Sequence, residues 1–533
     1  MSERPNFLYL ITDQQRADHV GSYGNCVLET PAIDALAARG VSFDRFYVSN
    51  PSCMPNRATM MTGRTPQANG VWSNGVPLSM RANTFVHLLR AAGYRTGLVG
   101  KCHLQAFTGR PPVIVAPEPG LGQIAPPAEL RDAVINAYGD GRYDQELLPR
   151  WRDDPDHELS LPYYGFDEVD LAILHGDKAH GHYVRWAKAR HPDFDSLPGP
   201  ERELGGHDYS APWAWRTRVP EELYPTTYIE ERTFAFLERH AKAKDGRPFF
   251  LQCSFPDPHH PFTPPGRYWG LYDPADVELP GSFARTNNPP PHLAHLWHER
   301  DRGETNRWTH LPQGITEREA REAIALTYGM IAMIDDAIGR ILARLEALDL
   351  AENTVVVFNS DHGDLMGDHQ TMLKGTLHYQ GLVRVPFIWA DPQRPNVARS
   401  RALCGTLDLA PTFLERAGLT PYHDIQGRSL LPVIDDPSAT LRDSVYIEED
   451  AQRTFMGFEV PPRTRTSITR DWRLSINLGV AWGELYNLAD DPYEMINLWD
   501  DPAAAATKAE LMEMLVQEMT EYANRAPLPT NRG

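Results

Sequence analysis

The chain has 533 residues, more than one hydrophobic core usually carries, so its length predicts one large domain and a smaller one. At 41% hydrophobic residues it has a globular composition, and 52 basic against 71 acidic residues give a net charge of -19, which excludes nucleic acid or a long polyanion as the main partner. A small or locally bound anion is compatible with that charge.

The N-terminus, MSERPNFLYLITDQQ, has a short apolar run interrupted at Asp13, without a basic leading segment or a small-residue cleavage pattern. Elsewhere no apolar run is long enough to cross a bilayer, so the chain reads as cytoplasmic, with no membrane partner. Cysteines at 26, 53, 102, 253 and 404 form an odd, scattered set that suits reduced thiols better than a disulfide framework.

In chain order, four segments repeat one design: a short apolar run, read as a buried parallel strand, followed at once by polar residues of catalytic type. NFLYLIT (6–12) leads into Asp13 and Gln14, YRTGLVG (94–100) into Lys101 and His103, PFFLQCSF (248–255) into His259, and VVVFNS (355–360) into Asp361 and His362. Open α/β sheets hold ligands at the carboxyl ends of their strands, so this placement predicts one shared site. Between the strands, Thr84 to Ala92 is a helical pattern with a cap residue at its start and Gly93 after its end. Another begins at Thr316, has Glu319 in capping-box position, and repeats Ile324, Tyr328, Ile331, Ile334, Ile338, Ile341 and Leu345 as a core-packing helix does. Residues from about 106 to 240 are richer in Pro, Gly, Trp and His and read as long insertions that wall a pocket or make a subunit contact.

The predicted fold is α/β, with a mostly parallel central sheet sandwiched by helices over roughly residues 1–437 and a smaller α+β domain over roughly 438–533. SVYIEE (444–449) and WRLSINL (472–478) supply strands to the smaller unit, which ends in a helix from about Pro502 to Asn524.

Cys53-Met54-Pro55-Asn56-Arg57 is followed by ATMMTG. Proline suits a first helical turn, and a helix ending at Gly63 puts residue 53 near a helix N-terminus, where anions are favoured. A cysteine taken alone is more often an ordinary buried thiol. Asp13 and Asp361 offer carboxylate oxygens after separate strands and His362 adds an imidazole, a combination able to hold one divalent cation. His103 and His259 are candidates for proton transfer, with His260 an alternative to its neighbour. Lys101 and Lys374, taken singly, read as solvated side chains, and Asn74, in WSNGV, is equally a turn signal. His19, His175, His180, His182, His207, His369 and His378 receive no role.

The C-x-P-x-R motif at 53–57, together with TDQQRADHVGSYGN, VGKCHL, SFPDPHHPF, SDHGDLMGDHQTMLKG, VRVPFI and ELYNLADDPYEMINL, resembles the sulfatase family of the alkaline phosphatase superfamily. These segments span nearly the whole chain in order. The resemblance implies that host formylglycine-generating machinery oxidises Cys53 to formylglycine. It also implies one divalent metal ion on Asp13, Gln14, residue 53, Asp361 and His362. Calcium is the family default, and the imidazole favours manganese. By resemblance, Arg57 orients the nucleophile, Lys101 and Lys374 neutralise the sulfuryl oxygens, and Asn74 contacts substrate. His259 protonates the leaving alcohol, while His103 takes a proton from the second formylglycine hydroxyl. The hydrated aldehyde would attack sulfur to give a covalent sulfate hemiacetal, and the other hydroxyl would then expel sulfate.

Many family members carry two aspartates at the first motif and asparagine after the second. Gln14 and His362 depart from that pattern in the manner of the phosphonate monoester hydrolase and choline-sulfatase branches. The implied activity is hydrolysis of small sulfate monoesters to an alcohol or phenol plus sulfate. A phosphonate monoester or phosphodiester hydrolase is the alternative, since both substrate classes present a tetrahedral anionic centre. A non-catalytic anion-binding relative is the third reading, if Cys53 stays unmodified. Similarity to oligomeric bacterial members implies a homodimer or homotetramer.

Overall fold

The strand Asn6–Thr12 is buried along its whole length, and alternate side chains enter different cores. Phe7, Tyr9 and Ile11 join one cluster, whereas Leu8 and Leu10 join another. The strand Thr354–Ser360 divides in the same way, with Val355 and Val357 on one side and Val356 and Phe358 on the other. A strand covered on both faces must be apolar at every position, which is why these runs do not alternate.

The computed structural model describes residues 4–110, 119–127, 143–286 and 288–531. Its main sheet has nine strands. Their spatial order is Ala398–Ser400, Val41–Phe43, Phe387–Ala390, Thr354–Ser360, Asn6–Thr12, Phe249–Ser254, Arg95–Gly100, Glu168–Ile173 and His180–Gly181. The five strands from Thr354–Ser360 to Glu168–Ile173 are mutually parallel, and antiparallel neighbours flank them. The four strands expected from sequence to carry site residues are therefore adjacent.

One face of the sheet packs against the helices Cys53–Thr62, Phe85–Ala91 and Leu409–Arg416, through Met60, Phe85, Leu89 and Phe413. The other packs against Pro225–Ala243 and the 31-residue helix Glu317–Ala347. Ile334, Ile338, Ile341 and Leu345 of the long helix are fully buried there, each contributing about 1.5–3 kcal/mol. Its start carries the expected capping box, in which Thr316 accepts from the Glu319 amide and Glu319 reaches back. Among the described residues no helix is long and apolar enough to cross a membrane.

A four-stranded antiparallel sheet follows, formed by Ser444–Asp450, Arg463–Thr469, Trp472–Asn477 and Gly483–Asn487 in that order. Val445, Ile447 and Ile468 face the large core, while Tyr446, Leu474 and Leu485 pack on Leu511 and Leu515 of the terminal helix Ala505–Glu521.

The span read as insertions also supplies core elements, the main-sheet strands Glu168–Ile173 and His180–Gly181 and the covering helix Pro225–Ala243, and residues 111–118 and 128–142 of it lie outside the described residues. Glu168–Ile173 is a strand of the main sheet, parallel to Arg95–Gly100. Its sequence, EVDLAI, alternates acidic and apolar residues because its first half is only partly buried, so it lacks the continuous apolar run of its neighbours.

Candidate active site

The site sits at the carboxyl ends of the central strands, and main-chain hydrogen bonds just past those ends hold it in register. The Asp361 amide donates to the Thr12 carbonyl at 3.1 Å, the Lys101 amide to Ser254 at 2.9 Å, and the Asp13 amide to Asp257 at 3.1 Å. The turns are sharp: Gln14, His103 and Leu174 all have positive φ, at 64°, 58° and 61°. Such backbone costs a non-glycine residue on the order of 1–3 kcal/mol and persists only where surrounding contacts enforce it. At Gly100 the constraint is absolute, since φ is 98° and a Cβ would lie 1.9 Å from the Ser254 carbonyl oxygen.

Cys53 is the first residue of the helix Cys53–Thr62, all ten residues of which are buried; Gly63 closes it in the left-handed region. The side chain of Ser52 does not cap this helix. Asn74 does so instead, its Oδ1 accepting from the Met54 amide at 3.0 Å. Cys53 Sγ lies 2.9 Å from Lys374 Nζ and 3.1 Å from His362 Nε2, with Asp13 Oδ1 at 3.9 Å. Lys374 Nζ also meets His259 Nε2 and His362 Nε2, both at 2.9 Å. Arg57 Nε donates to Asp361 Oδ2 at 2.7 Å and its Nη1 to the Lys101 carbonyl and Ser254 Oγ, both at 3.0 Å. Lys101 Nζ is hydrogen-bonded to Asp13 Oδ2.

Burial raises the Cys53 thiol, but Lys101 and then Lys374 outweigh it and bring it down to about 7. Asp13 resists burial in the same way and is held well below the usual carboxylate range, chiefly by Lys101. Burial, then His175 and Lys374, keep His259 well below the ordinary histidine value. Both site imidazoles have a fixed outlook: Nδ1 of His362 donates to the Gly363 carbonyl at 2.8 Å, and Nδ1 of His259 to His260 at 2.6 Å. Their Nε2 lone pairs therefore face the cluster.

The donor set suits a divalent cation. Carboxylate oxygens of Asp13 and Asp361, Cys53 Sγ and a His362 ring nitrogen all lie within 4.8 Å of one another and are buried. Gln14 Oε1 is buried without a hydrogen-bond partner among the described residues, although its Nε2 donates to Asp364 at 2.5 Å. Two carboxylates with an imidazole and a spare amide oxygen form a mixed oxygen and nitrogen set of the kind divalent ions occupy.

Of the residues expected from sequence, Asp13, Cys53, Arg57, Lys101, His259, Asp361, His362 and Lys374 make one contiguous contact cluster, and Gln14 borders it. His103 is close by, its ring stacked on Phe107 at 3.7 Å, with Nδ1 buried and unpartnered among the described residues. Sequence reasoning passed over His175. It follows a main-sheet strand, as the other site residues do. Its Nε2 lies 2.9 Å from Lys101 Nζ and 3.5 Å from Asp13 Oδ2, and its ring stacks on His259 at 3.5 Å. Two supporting residues also gave no sequence signal. Buried Arg16 Nη1 donates to the carbonyls of Asp364 and Leu365 and to Asp368, joining the first and last motif loops. Glu146 accepts from the amides of His103, Leu104 and Gln105 at 2.8, 3.1 and 3.2 Å, and from Tyr163 at 2.8 Å.

Glu146→Ala leaves those three amides without their acceptor in a buried loop, so a loss of about 3 kcal/mol is expected in urea unfolding, with reduced turnover because His103 is no longer held. An unchanged unfolding midpoint would show that the loop does not depend on this carboxylate.

A family model described as Sulfatase matches residues 5–151 and 179–419, and one described as N-sulphoglucosamine sulphohydrolase, C-terminal, matches 367–521. The chain is 29% identical over 522 residues to the uncharacterized sulfatase YidJ of Escherichia coli K12, covering 97% of this chain and 87% of that protein. It is 28% identical over 462 residues to an arylsulfatase of Clostridium perfringens, covering 84% and 81%. Among solved structures, the phosphonate monoester hydrolase of Agrobacterium radiobacter shares the fold with a TM-score of 0.75 at 23% identity, over 97% of this chain and 96% of that one. With the Sulfatase match alone spanning more than half of its residues, the chain belongs to the sulfatase family.

Proposed function

We propose that the protein hydrolyses sulfate monoesters to an alcohol or phenol plus sulfate, with residue 53 acting after conversion to formylglycine. Family membership supports a sulfuric ester hydrolase, and one observation carries the finer reading. Cys53, at the N-terminus of a buried helix, has Lys374 at 2.9 Å and His362 at 3.1 Å, beside Asp13 and Asp361. Sγ stands where the oxygens of the modified residue would stand.

The helix N-terminus favours the anionic ester. Three buried cations, Arg57, Lys101 and Lys374, face two buried carboxylates, Asp13 and Asp361, so the cluster has positive charge to spare for a sulfuryl group. We assign proton delivery to the leaving oxygen to His259, with Lys374 Nζ, 2.9 Å from its Nε2, as the source of that proton, and removal of the nucleophile's second proton to His103. Arg57 would keep the nucleophile aligned. Formylglycine would supply two hydroxyls on one carbon, one to attack and one to release product, which neither cysteine nor serine offers. A divalent cation held by Asp13, Gln14, Asp361 and His362 would supply Lewis-acid activation of the attacking hydroxyl; imidazole among its ligands favours manganese over calcium.

A second reading, hydrolysis of phosphonate monoesters or phosphodiesters, is favoured by Gln14 and His362, where many sulfatases have aspartate and asparagine. We also place the division between the two units near residue 437, ahead of the strand Ser444–Asp450, and expect a homodimer or homotetramer. A monomer by light scattering at micromolar concentration would remove the last expectation.

Cys53→Ala should lower kcat by about a thousandfold or more while leaving the unfolding midpoint near that of the parent protein. Chelation should suppress turnover of the parent protein, with manganese restoring it better than calcium. Parallel assays on aryl sulfate and phenyl phosphonate esters separate the two readings: a higher kcat/KM for the phosphonate would replace the first by the second. Full activity of the alanine variant would contradict both.

A further inference from the structure

The segment ELYNLADDPYEMINL at 484–498 has no part in the reaction as assigned above, yet it is built into the face that the small sheet turns toward the large unit. On that face Ile447, Thr466, Ser475 and Glu484 stand opposite one another across the four strands, and Glu449 and Arg473 lie two residues along from Ile447 and Ser475. Glu449, Thr466, Arg473, Ser475, Glu484 and Glu494 are all less than a tenth exposed. Burying so many polar groups costs free energy unless each is hydrogen-bonded, and well-packed apolar residues of similar size often stabilise a buried face at least as well. The polarity therefore serves something other than burial.

These groups form one continuous chain. Arg473 Nη1 donates to Ser475 Oγ at 2.8 Å, and a guanidinium can only donate, so the Ser475 hydrogen is left for Thr466 Oγ1 at 2.7 Å. Thr466 in turn gives its hydrogen to His378 Nδ1 at 2.8 Å, which places the ring proton on Nε2, facing Glu449 Oε2 at 3.2 Å. The other carboxylate oxygen, Oε1, accepts from Ser52 Oγ at 3.1 Å. The chain thus reaches the large unit at Ser52, next to the nucleophile, and at His378, four residues past Lys374. A branch runs from Arg473 to Glu494, whose Oε2 accepts from the Gln380 amide at 2.9 Å, while the guanidinium lies over the Tyr379 ring at 4.9 Å. The Lys374 loop is therefore gripped at 378, 379 and 380, and residue 53 is gripped through its neighbour; the Glu449 carboxylate joins the two grips. Between them, Lys374 Nζ stands 2.9 Å from both Cys53 Sγ and His259 Nε2.

We propose that Glu449 is a positioning residue for the reaction: by holding Ser52 with one oxygen and His378 with the other, it sets the separation of residue 53 from Lys374. It thereby aligns the path on which Lys374 and His259 deliver a proton to the leaving oxygen. Thr466, Ser475 and Arg473 fix the ring of His378 for that bond. This rests on the sulfate-ester reading above.

The test compares phenyl sulfate with para-nitrophenyl sulfate, using the full chain and rates normalised to the formylglycine fraction at residue 53. Phenolate is the poorer leaving group and needs the delivered proton more, so a displaced Lys374 should slow phenyl sulfate more. A variant that merely loses folded protein slows both esters equally. E449L should lower kcat/KM about a hundredfold for phenyl sulfate but only about tenfold for the para-nitro ester, mainly through kcat. E449Q, whose amide can accept from His378 and donate to Ser52 Oγ, should stay within about threefold of the parent on both. T466V, which removes only the hydroxyl that fixes the His378 ring, should shift the ratio of the two kcat/KM values in the same direction by about threefold, and it answers the question if E449L does not fold. L511A, in the core between the small sheet and the terminal helix, should leave the ratio unchanged. Equal losses on both esters in E449L and T466V, or an E449Q protein as impaired as E449L, would overturn this inference and leave the sulfatase reading intact. A parent protein that cleaves neither ester would instead overturn that reading, and this inference with it.

Discussion

The structure depends on keeping five opposed charges buried at one end of a sheet. Asp13, Arg57, Lys101, Asp361 and Lys374 are all less than a tenth exposed; Arg57 pairs with Asp361 and Asp13, Lys101 pairs with Asp13, and Lys374 meets Cys53, His259 and His362. Removing one partner of a buried pair typically costs about 3–5 kcal/mol, because the other charge is left unmatched. The cluster therefore stands or falls as a unit. Its members come from four separate parts of the chain, so it can form only when the parallel strands are in register. Carbonyl-to-amide bonds across the strand ends, such as Asp361 to Thr12 and Lys101 to Ser254, fix that register to the last residue.

The smaller sheet takes part in the same arrangement. Its edge strand Ser444–Asp450 holds the loop that precedes the nucleophile: the Glu448 amide donates to the Ser49 carbonyl at 3.1 Å, and Asn50 Nδ2 donates to the Glu448 carbonyl at 2.7 Å. Glu449 binds Ser52 on one side and His378 on the other, and His378 in turn meets Thr466 at 2.8 Å. Residue 53 is thus located from two directions, by the main sheet beneath it and by the small sheet beside it.

The sequence was most informative where burial is extreme. A strand covered on both faces, such as Asn6–Thr12, has no choice but to be apolar throughout, and the polar residue that follows it is conspicuous. Glu168–Ile173 is half covered, so its pattern is diluted, and His175 behind it went unassigned although it touches Lys101 and stacks on His259. Glu146 could not be recognised, because three of its four partners are backbone amides, which leave no trace in side-chain identity. Asn74 has a role the sequence does not mark: it reads as either a turn or a substrate contact, and its oxygen also caps the helix that begins at Cys53.

Whether residue 53 acts as formylglycine is decided by measuring sulfate-ester turnover against the formylglycine fraction at residue 53 across preparations made with and without the modifying machinery. Conversion makes the peptide spanning residue 53 about 18 Da lighter than the cysteine form, so the fraction is read by mass. Turnover should be proportional to that fraction and extrapolate to zero in its absence. Turnover that stays undiminished in a preparation with no detectable formylglycine would contradict it.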